Sequence, residues 1–285
     1  MDAKKIAVIG AGTMGNGIAQ VFAASGFDVL MTDVSDVAVQ RGVATVGKSL
    51  DRLLAKQKIS EGDKKAILGR IRTATRLDEI AGSDVVVEAA TENVELKLKL
   101  FADLDRIAQP SAILASNTSS ISLTRLASAT KRPVQVIGMH FFNPVPMMQL
   151  VEVIRALQTS DATFETVKAL TQKVGKTPVE VRSSPGFVAN RILLPMLNEA
   201  VFCLHERLAS AEDIDTVMKL GMAHPMGPLA LADLIGLDVC LSVLEVLYDG
   251  FKDPKYRPCP LWREKVEAGQ LGRKTGQGFF RYEKR

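Results

Sequence analysis

Ile6-Ala7-Val8-Ile9-Gly10-Ala11-Gly12-Thr13-Met14-Gly15 is a short apolar run that passes straight into a Gly-x-Gly-x-x-Gly turn, and residues 16–25 after it suit a helix. In such a strand–turn–helix the first glycine permits the tight turn, the second lets backbone approach a diphosphate, and the third lets helix and strand pack closely. The helix N-terminus then offers unpaired N–H groups and a favourable dipole to an anion. A flexible turn would share the glycines, but the context points further. A second strand at 28–32 ends at Asp33, 23 residues after Gly10. A carboxylate there accepts hydrogen bonds from an adenosine ribose and repels a 2′-phosphate. No arginine follows until Arg41, so NAD is expected rather than NADP. The plain alternative for Asp33 is a solvated turn residue.

Outward from this turn, β-branched runs alternate with amphipathic stretches, a pattern that calls for a parallel sheet covered by helices. Strands are expected at 6–9, 28–32, 84–88, 112–115, 134–139, 149–154 and 179–181, with helices at 37–57 and 95–107. After Ser183-Ser184-Pro185-Gly186 the character changes, and 187–208, 211–220 and 229–247 show helical apolar spacing without strand candidates. The expectation is an α/β chain: a Rossmann-type, mostly parallel domain over 1–184, then an all-helical domain over 185–285. The glycine-rich, basic stretch 272–278 reads as a mobile loop or a phosphate contact.

Composition narrows the function. The 285 residues are 47% hydrophobic and 24% charged, enough apolar surface for a packed globule, and about two domains suit that length. Lys and Arg number 36 against 32 Asp and Glu, for a net charge of +4 with the basic residues scattered. A nucleic-acid partner is therefore disfavoured. Charges or prolines interrupt every long apolar stretch, so no membrane span is expected, and the start lacks the pattern of a secretory signal. Cys203, Cys240 and Cys259 are odd in number, far apart and without a histidine cluster. They read as reduced cytosolic thiols, mostly filling the core, and no metal site is expected.

Of three histidines, His205 lies in a charged helical patch and His224 beside a proline, both structural in character. His140 stands at the end of the 134–139 strand, the edge of an open α/β sheet where ligands bind. Glu152 interrupts the apolar strand Leu150-Val151-Glu152-Val153-Ile154. A carboxylate there costs desolvation unless paired, and His140 is a reasonable partner. Such a pair would fix the imidazole's tautomer and stabilise its protonated form, as alcohol oxidation by hydride transfer requires. The plain alternative is a histidine satisfied by backbone, with Glu152 pairing Arg155.

Taken together, Gly10 to Gly15, Ser116-Asn117-Thr118-Ser119-Ser120, His140-Phe141-Phe142-Asn143-Pro144-Val145-Pro146, Leu150-Val151-Glu152 and Pro185-Gly186-Phe187-Val188-Ala189-Asn190-Arg191 closely resemble the L-3-hydroxyacyl-CoA dehydrogenases. The resemblance spans nearly the whole chain, whose length is similar to the short bacterial members acting on 3-hydroxybutyryl-CoA. It implies that His140 and Glu152 are the catalytic pair, with Ser119 and Asn190 hydrogen-bonding the substrate. It further implies NAD contacts from Gly10, Gly12, Thr13, Met14, Gly15, Asp33, Glu92, Lys97, Ser119, Asn143 and Lys274. Acyl-CoA contacts are implied for Ser49 and Lys56. The implied reaction is reversible oxidation of an (S)-3-hydroxyacyl-CoA by a homodimer, cytoplasmic on the cysteine reading above; fermentation, polyester metabolism, fatty acid and butanoate metabolism and aromatic degradation all have a place for it.

Two rivals stand beside it. A β-hydroxyacid dehydrogenase acting on a free acid shares the glycine turn, but resemblance to those enzymes would require a lysine near the interdomain helix, and none occurs between Lys176 and Lys219. A non-catalytic NAD-binding protein would not need His140 or Glu152.

Overall fold

The computed structural model describes residues 3–283, so residues 1–2 and 284–285 of the expected domain limits lie outside the described residues. The chain divides between Ser184 and Pro185 into two compact units.

The first unit runs β1 (Lys5–Ile9), α1 (Thr13–Ala24), β2 (Asp28–Thr32), α2 (Asp36–Ala55), α3 (Glu61–Gly69), β3 (Ile71–Ala74), β4 (Val85–Glu88), α4 (Val94–Ile107), β5 (Ile113–Ser116), α5 (Leu123–Ser128), β6 (Val136–Phe141), β7 (Leu150–Arg155), α6 (Asp161–Lys173) and β8 (Thr177–Arg182). Its strands form one eight-stranded sheet in the order β3-β2-β1-β4-β5-β6-β7-β8. Every pairing is parallel except β6 with β7. The order reverses between β1 and β4, which is where open sheets of this kind bind ligands beyond their strand ends.

The helices form because their apolar residues repeat on one face. In α2 the buried residues are Val39, Gly42, Val46 and Leu50, behind an N-cap in which Ser35 accepts from Ala38 N–H. In α4 the inward face carries Phe101 and Leu104 together with a lysine, Lys97. β4, β5 and β6 are buried throughout, as expected of central strands covered on both faces.

Several boundaries differ from the sequence reading. β6 starts two residues later than expected and runs through His140 to Phe141, because Pro133–Gln135 forms a 3₁₀ turn. The 55–76 segment, which carries no recognisable motif, folds as α3 and β3. The cue for α3 is local: Ser60 and Asp63 make a reciprocal capping box.

The second unit comprises α7 (Ala189–His205), α8 (Ala211–Gly221), α9 (Pro228–Ile235), α10 (Leu237–Phe251) and α11 (Pro260–Glu267). The single helix expected over 229–247 is two, broken at Gly236, whose φ is 108°. Leu197, Leu229, Leu244 and Trp262 lie in its core. Buried polar side chains tie its loops down. Asn198 accepts from Cys259 N–H and Trp262 Nε1–H, both at 2.9 Å, and donates to Arg257 O at 2.9 Å. Asp215 accepts from Leu229 and Ala230 N–H, supplying the cap that Gly227 lacks at α9. Burial pushes the Cys240 thiol up to about 12 and raises that of Cys259, which leaves both unreactive.

Asp233, almost fully buried, holds the C-terminal stretch by accepting from Phe279 N–H, Phe280 N–H and the Tyr282 hydroxyl, each at 2.9 Å. Burial, with the hydrogen bond to Asp233 acting in the same direction, pushes the Tyr282 phenol up to about 12 from 10.0. A phenol kept protonated by the fold adds stability below its unfolded value and loses that contribution as pH rises through its folded value. Thermal denaturation of Tyr282→Phe should show lower stability than wild type at neutral pH and a shallower decline across the window from 10.0 to about 12. Parallel curves for the two proteins would mean that Asp233 does not hold Tyr282 in this way.

Candidate active site

At the glycine turn, Gly10 adopts φ 101°, and a Cβ on it would sit 2.6 Å from Ala89 O. A Cβ on Gly15 would fall 1.7 Å from Gly10 O, so this glycine lets the first turn of α1 close onto the strand end. Gly12 by contrast faces open space, with nothing within 4 Å of where its Cβ would be, and it caps α1 without any side-chain hydrogen bond. An uncapped helix N-terminus behind an open glycine fits a diphosphate.

On one side of the turn lies a cavity of about 630 Å³ whose lining includes Ile9, Asp33, Val34, Leu77, Ala89 and Leu96. Asp33 accepts from Ala11 N–H and Val34 N–H, both at 2.7 Å, so its carboxylate is fixed at the end of β2 rather than trailing in solvent. Apolar walls with one anchored carboxylate suit an adenosine, and Thr13 and Met14 complete the lining beside Gly10 and Gly12. These residues fit NAD.

His140 and Glu152 face each other across the antiparallel pair β6 and β7, where they are direct register partners. His140 Nδ1 lies 2.7 Å from Glu152 Oε2, and the two residues are 7% and 2% exposed. Arg155, the alternative partner for Glu152, instead contacts Asp161 at 2.9 Å and Glu180 at 2.6 Å. The Phe142 ring stands 4.6 Å from the imidazole, centroid to centroid. Because Glu152 engages Nδ1, the ring's other nitrogen, Nε2, points away from the carboxylate.

The loop after β5 is wired to β4 and α4. Glu92 accepts from Thr118 Oγ1 at 2.9 Å, from Ser119 N–H at 2.7 Å and from Ser119 Oγ at 3.2 Å. Lys97 reaches Glu92 at 3.4 Å, but its ammonium is centred on Glu88, 2.7 and 2.8 Å from the two carboxylate oxygens. Ser116 Oγ also donates to Glu88, at 2.6 Å. Thus Glu92, Lys97 and Ser119 are brought together. Lys97 is 1% exposed and occupied by a buried carboxylate, which makes it a support for the loop. Asn117 Oδ1 accepts from Phe141 N–H at 2.9 Å, joining the same loop to the strand that carries His140.

On the other side of the glycine turn, a second cavity of about 360 Å³ is lined by Gly12, Thr13, Asn143, Ser49, Arg41 and Arg52, among others. Arg41, Thr45, Ser49 and Arg52 follow one another at four- and three-residue steps, so they form a single stripe along α2. That spacing was legible in the sequence as an anion-facing stripe, yet it draws attention only once Gly12 is known to lie opposite. Exposed Lys56 continues the stripe at the C-cap of α2, outside this cavity's lining. Asn143 is exposed at the head of the loop after β6.

Asn190 and Lys274 belong to the second unit. Asn190 is the second residue of α7, whose N-cap is Val188, so its amide does not cap the helix. Lys274 does not sit on a mobile loop: a 3₁₀ turn holds it, with its ammonium 2.6 and 2.7 Å from the Asp238 carboxylate oxygens. Among the described residues no group of three or more His, Cys, Asp or Glu is arranged to hold a metal ion.

Comparison with known proteins agrees across the chain. Residues 5–184 match the profile described as 3-hydroxyacyl-CoA dehydrogenase, NAD binding domain, and 186–282 the one described as 3-hydroxyacyl-CoA dehydrogenase, C-terminal domain. A probable 3-hydroxybutyryl-CoA dehydrogenase of Bacillus subtilis is 55% identical, over 100% of this chain and 99% of its own. The 3-hydroxybutyryl-CoA dehydrogenase of Bradyrhizobium diazoefficiens is 53% identical over 98% of this chain and 95% of its own. The crystal structure of (S)-3-hydroxybutyryl-CoA dehydrogenase from Ralstonia eutropha superposes with a TM-score of 0.96 at 58% identity, covering 99% of this chain and 100% of that one.

The Glu88–Lys97 pair is buried on both sides, so removing one partner strands the other charge. Lys97→Met should lower unfolding stability by ~3–5 kcal/mol in urea titrations, far more than a surface lysine would. A loss within the range of a surface substitution would show that Glu88 finds another partner.

Proposed function

The chain belongs to the 3-hydroxyacyl-CoA dehydrogenase family, and we propose that it oxidises (S)-3-hydroxybutyryl-CoA to acetoacetyl-CoA with NAD, reversibly, using His140 as general acid and base. The observation that carries this reading is the His140–Glu152 pair, 2.7 Å apart and buried in the same unit as an open glycine turn and an anchored Asp33.

In the oxidation, His140 Nε2 takes the proton of the C3 hydroxyl as the C3–H bond breaks. Glu152 holds Nδ1–H and stabilises the imidazolium that forms, so the ring is oriented before substrate arrives. Bound NAD supplies the acceptor for the hydride leaving C3. In the reverse direction the same imidazolium returns its proton to the oxygen developing on C3. Ser119 is assigned to that oxygen, since a donor already in place favours the charge developing there. Gly10, Gly12, Thr13, Met14 and Gly15 hold the diphosphate and Asp33 the adenosine ribose. Glu92 and Asn143 are assigned to the remainder of the dinucleotide, and Lys97 supports Glu92 from its place on Glu88. The stripe of Ser49 with Arg41 and Arg52 is assigned, with Lys56, to the phosphates of the CoA moiety.

We propose a homodimer built from the second unit, a reading supported by its exposed apolar side chains Ile192, Val217 and Leu220, at 67%, 60% and 83% exposure. A cytoplasmic setting suits three cysteines that are free thiols. Among the described residues no helix is long and apolar enough to cross a membrane.

Nicotinamide absorbance with acetoacetyl-CoA tests the reading directly: NADH should be consumed rapidly, NADPH poorly, and free acetoacetate should not replace the thioester. Tight NADH binding without turnover of any acyl-CoA would overturn it in favour of a binding protein. His140→Ala should cut kcat by about a thousandfold while NADH affinity holds, and Glu152→Gln should cut it by roughly a hundredfold. Full activity in His140→Ala would exclude the mechanism.

A further inference from the structure

Lys176 follows the turn at the end of α6 and is 7% exposed. Its ammonium donates to two main-chain carbonyls, Val145 O at 2.7 Å and Met148 O at 2.6 Å. Among the described residues no carboxylate neutralises it, and burial draws its pKa down from the ordinary lysine value. A charge kept in so dry a place is costly unless its hydrogen bonds are needed. Both of its acceptors lie in the loop after His140 and Asn143, within which the amides of Met147 and Met148 donate to Pro144 O.

That loop is pressed against the cofactor helix. Val145 is 2% exposed, and a Cβ on Gly17 of α1 would fall 2.8 Å from Val145 Cβ. The same segment presents Asn143 and Pro144 to the cavity that Gly12 and Thr13 line. We propose that Lys176 is a positioning residue for the cofactor site: its ammonium, clasped by the carbonyls of Val145 and Met148, locks residues 143–148 onto α1 and so sets where Asn143 meets the dinucleotide. The inference rests on the NAD reading given above, but the clasp itself is a property of the chain alone.

Two readouts on Lys176→Met test it. In the ligand-free protein, hydrogen exchange at the Met147 and Met148 amides should accelerate about tenfold or more, while β1 and β4 keep wild-type protection. At a temperature where the variant is fully folded, NADH should bind about tenfold more weakly, whereas AMP, which needs only the Asp33 side of the turn, should bind as in wild type. Unchanged loop exchange overturns the proposal, as does a uniform loss of protection with NADH affinity intact, since either result makes Lys176 a general structural lysine. If Lys176→Met does not fold, Lys176→Gln, which keeps a donor on a shorter stem, carries the same two readouts with the same criteria. Wild-type protein that binds no NADH would refute the NAD reading, and loop exchange in the variant would still decide the clasp.

Discussion

The antiparallel pairing of β6 with β7 is the constraint on which the site depends. In a sheet otherwise paired in parallel, this one reversal sets His140 and Glu152 directly opposite each other. Side chains alternate faces along a strand, so a slip of one residue would carry Glu152 to the other face and break its hydrogen bond with His140. The register is held by packing on both strands. Val151, Val153 and Ile154 are fully buried on β7, and Gly138 on β6 makes room for Ile154, since a Cβ there would sit 2.8 Å from Ile154 Cβ. Apolar packing thus fixes the polar pair, rather than the pair fixing the strands.

Around that pair, the first unit draws charge out of water in three other places, each in a different manner: Glu88 with Lys97 and Lys176 are buried, and Arg132 with Asp105 is half-buried. Glu88 is met by an ammonium, a hydroxyl and the Ala90 N–H; Arg132 is met by Asp105 and by the carbonyls of Asp105, Ala108 and Gln109; Lys176 is met by carbonyls alone. Buried ion pairs seldom stabilise a fold more than apolar residues of the same volume would. What these groups do offer is direction. Each one terminates at a connection between elements: residues 89–93 and the end of β5 with its following loop for Glu88 and its neighbours, the C-terminal end of α4 with residues 108–110 for Arg132, and 143–148 for Lys176. The Glu88 and Lys176 sets give one geometry to loops at the end of the sheet where the glycine turn lies, whereas Arg132 fixes the entry to β5 at the opposite end.

Much of this was legible in the sequence because it is periodic or stereochemically demanding. The glycine turn, β2 with its terminal Asp33, and the change to helices after the Pro185-Gly186 step carry local signals strong enough to read directly. What escaped was set by tertiary context. β3 is a short edge strand with one buried residue out of four, so it has no alternation to detect. The break between α9 and α10 depends on a single glycine inside a continuous apolar run. Lys97 looks like a helix-entry charge, and nothing in its own neighbourhood says that it turns inward to Glu88, nine positions earlier on a different element. Lys176 is equally silent, because its acceptors are carbonyls, which every residue supplies. Sequence patterns report which side chains are apolar; they do not report which polar ones are buried.

The glycine turn also separates two environments of opposite character. Gly12 and Thr13 line both cavities, one holding the Asp33 carboxylate and the other facing Arg41 and Arg52. A dinucleotide lying across the turn would put its ribose hydroxyls on the acidic side and leave the basic stripe of α2 for a second, anionic molecule. Two anionic ligands brought to one sheet edge repel each other unless cations stand between them or on the far side of one of them. The stripe satisfies that condition, because α2 leaves β2 immediately after Asp33 and returns its polar face over the turn, with Gly42 packed against Ala11 so closely that a Cβ would come within 2.9 Å. The Asp33 carboxylate and the basic stripe of α2 are therefore placed by the same strand–helix connection.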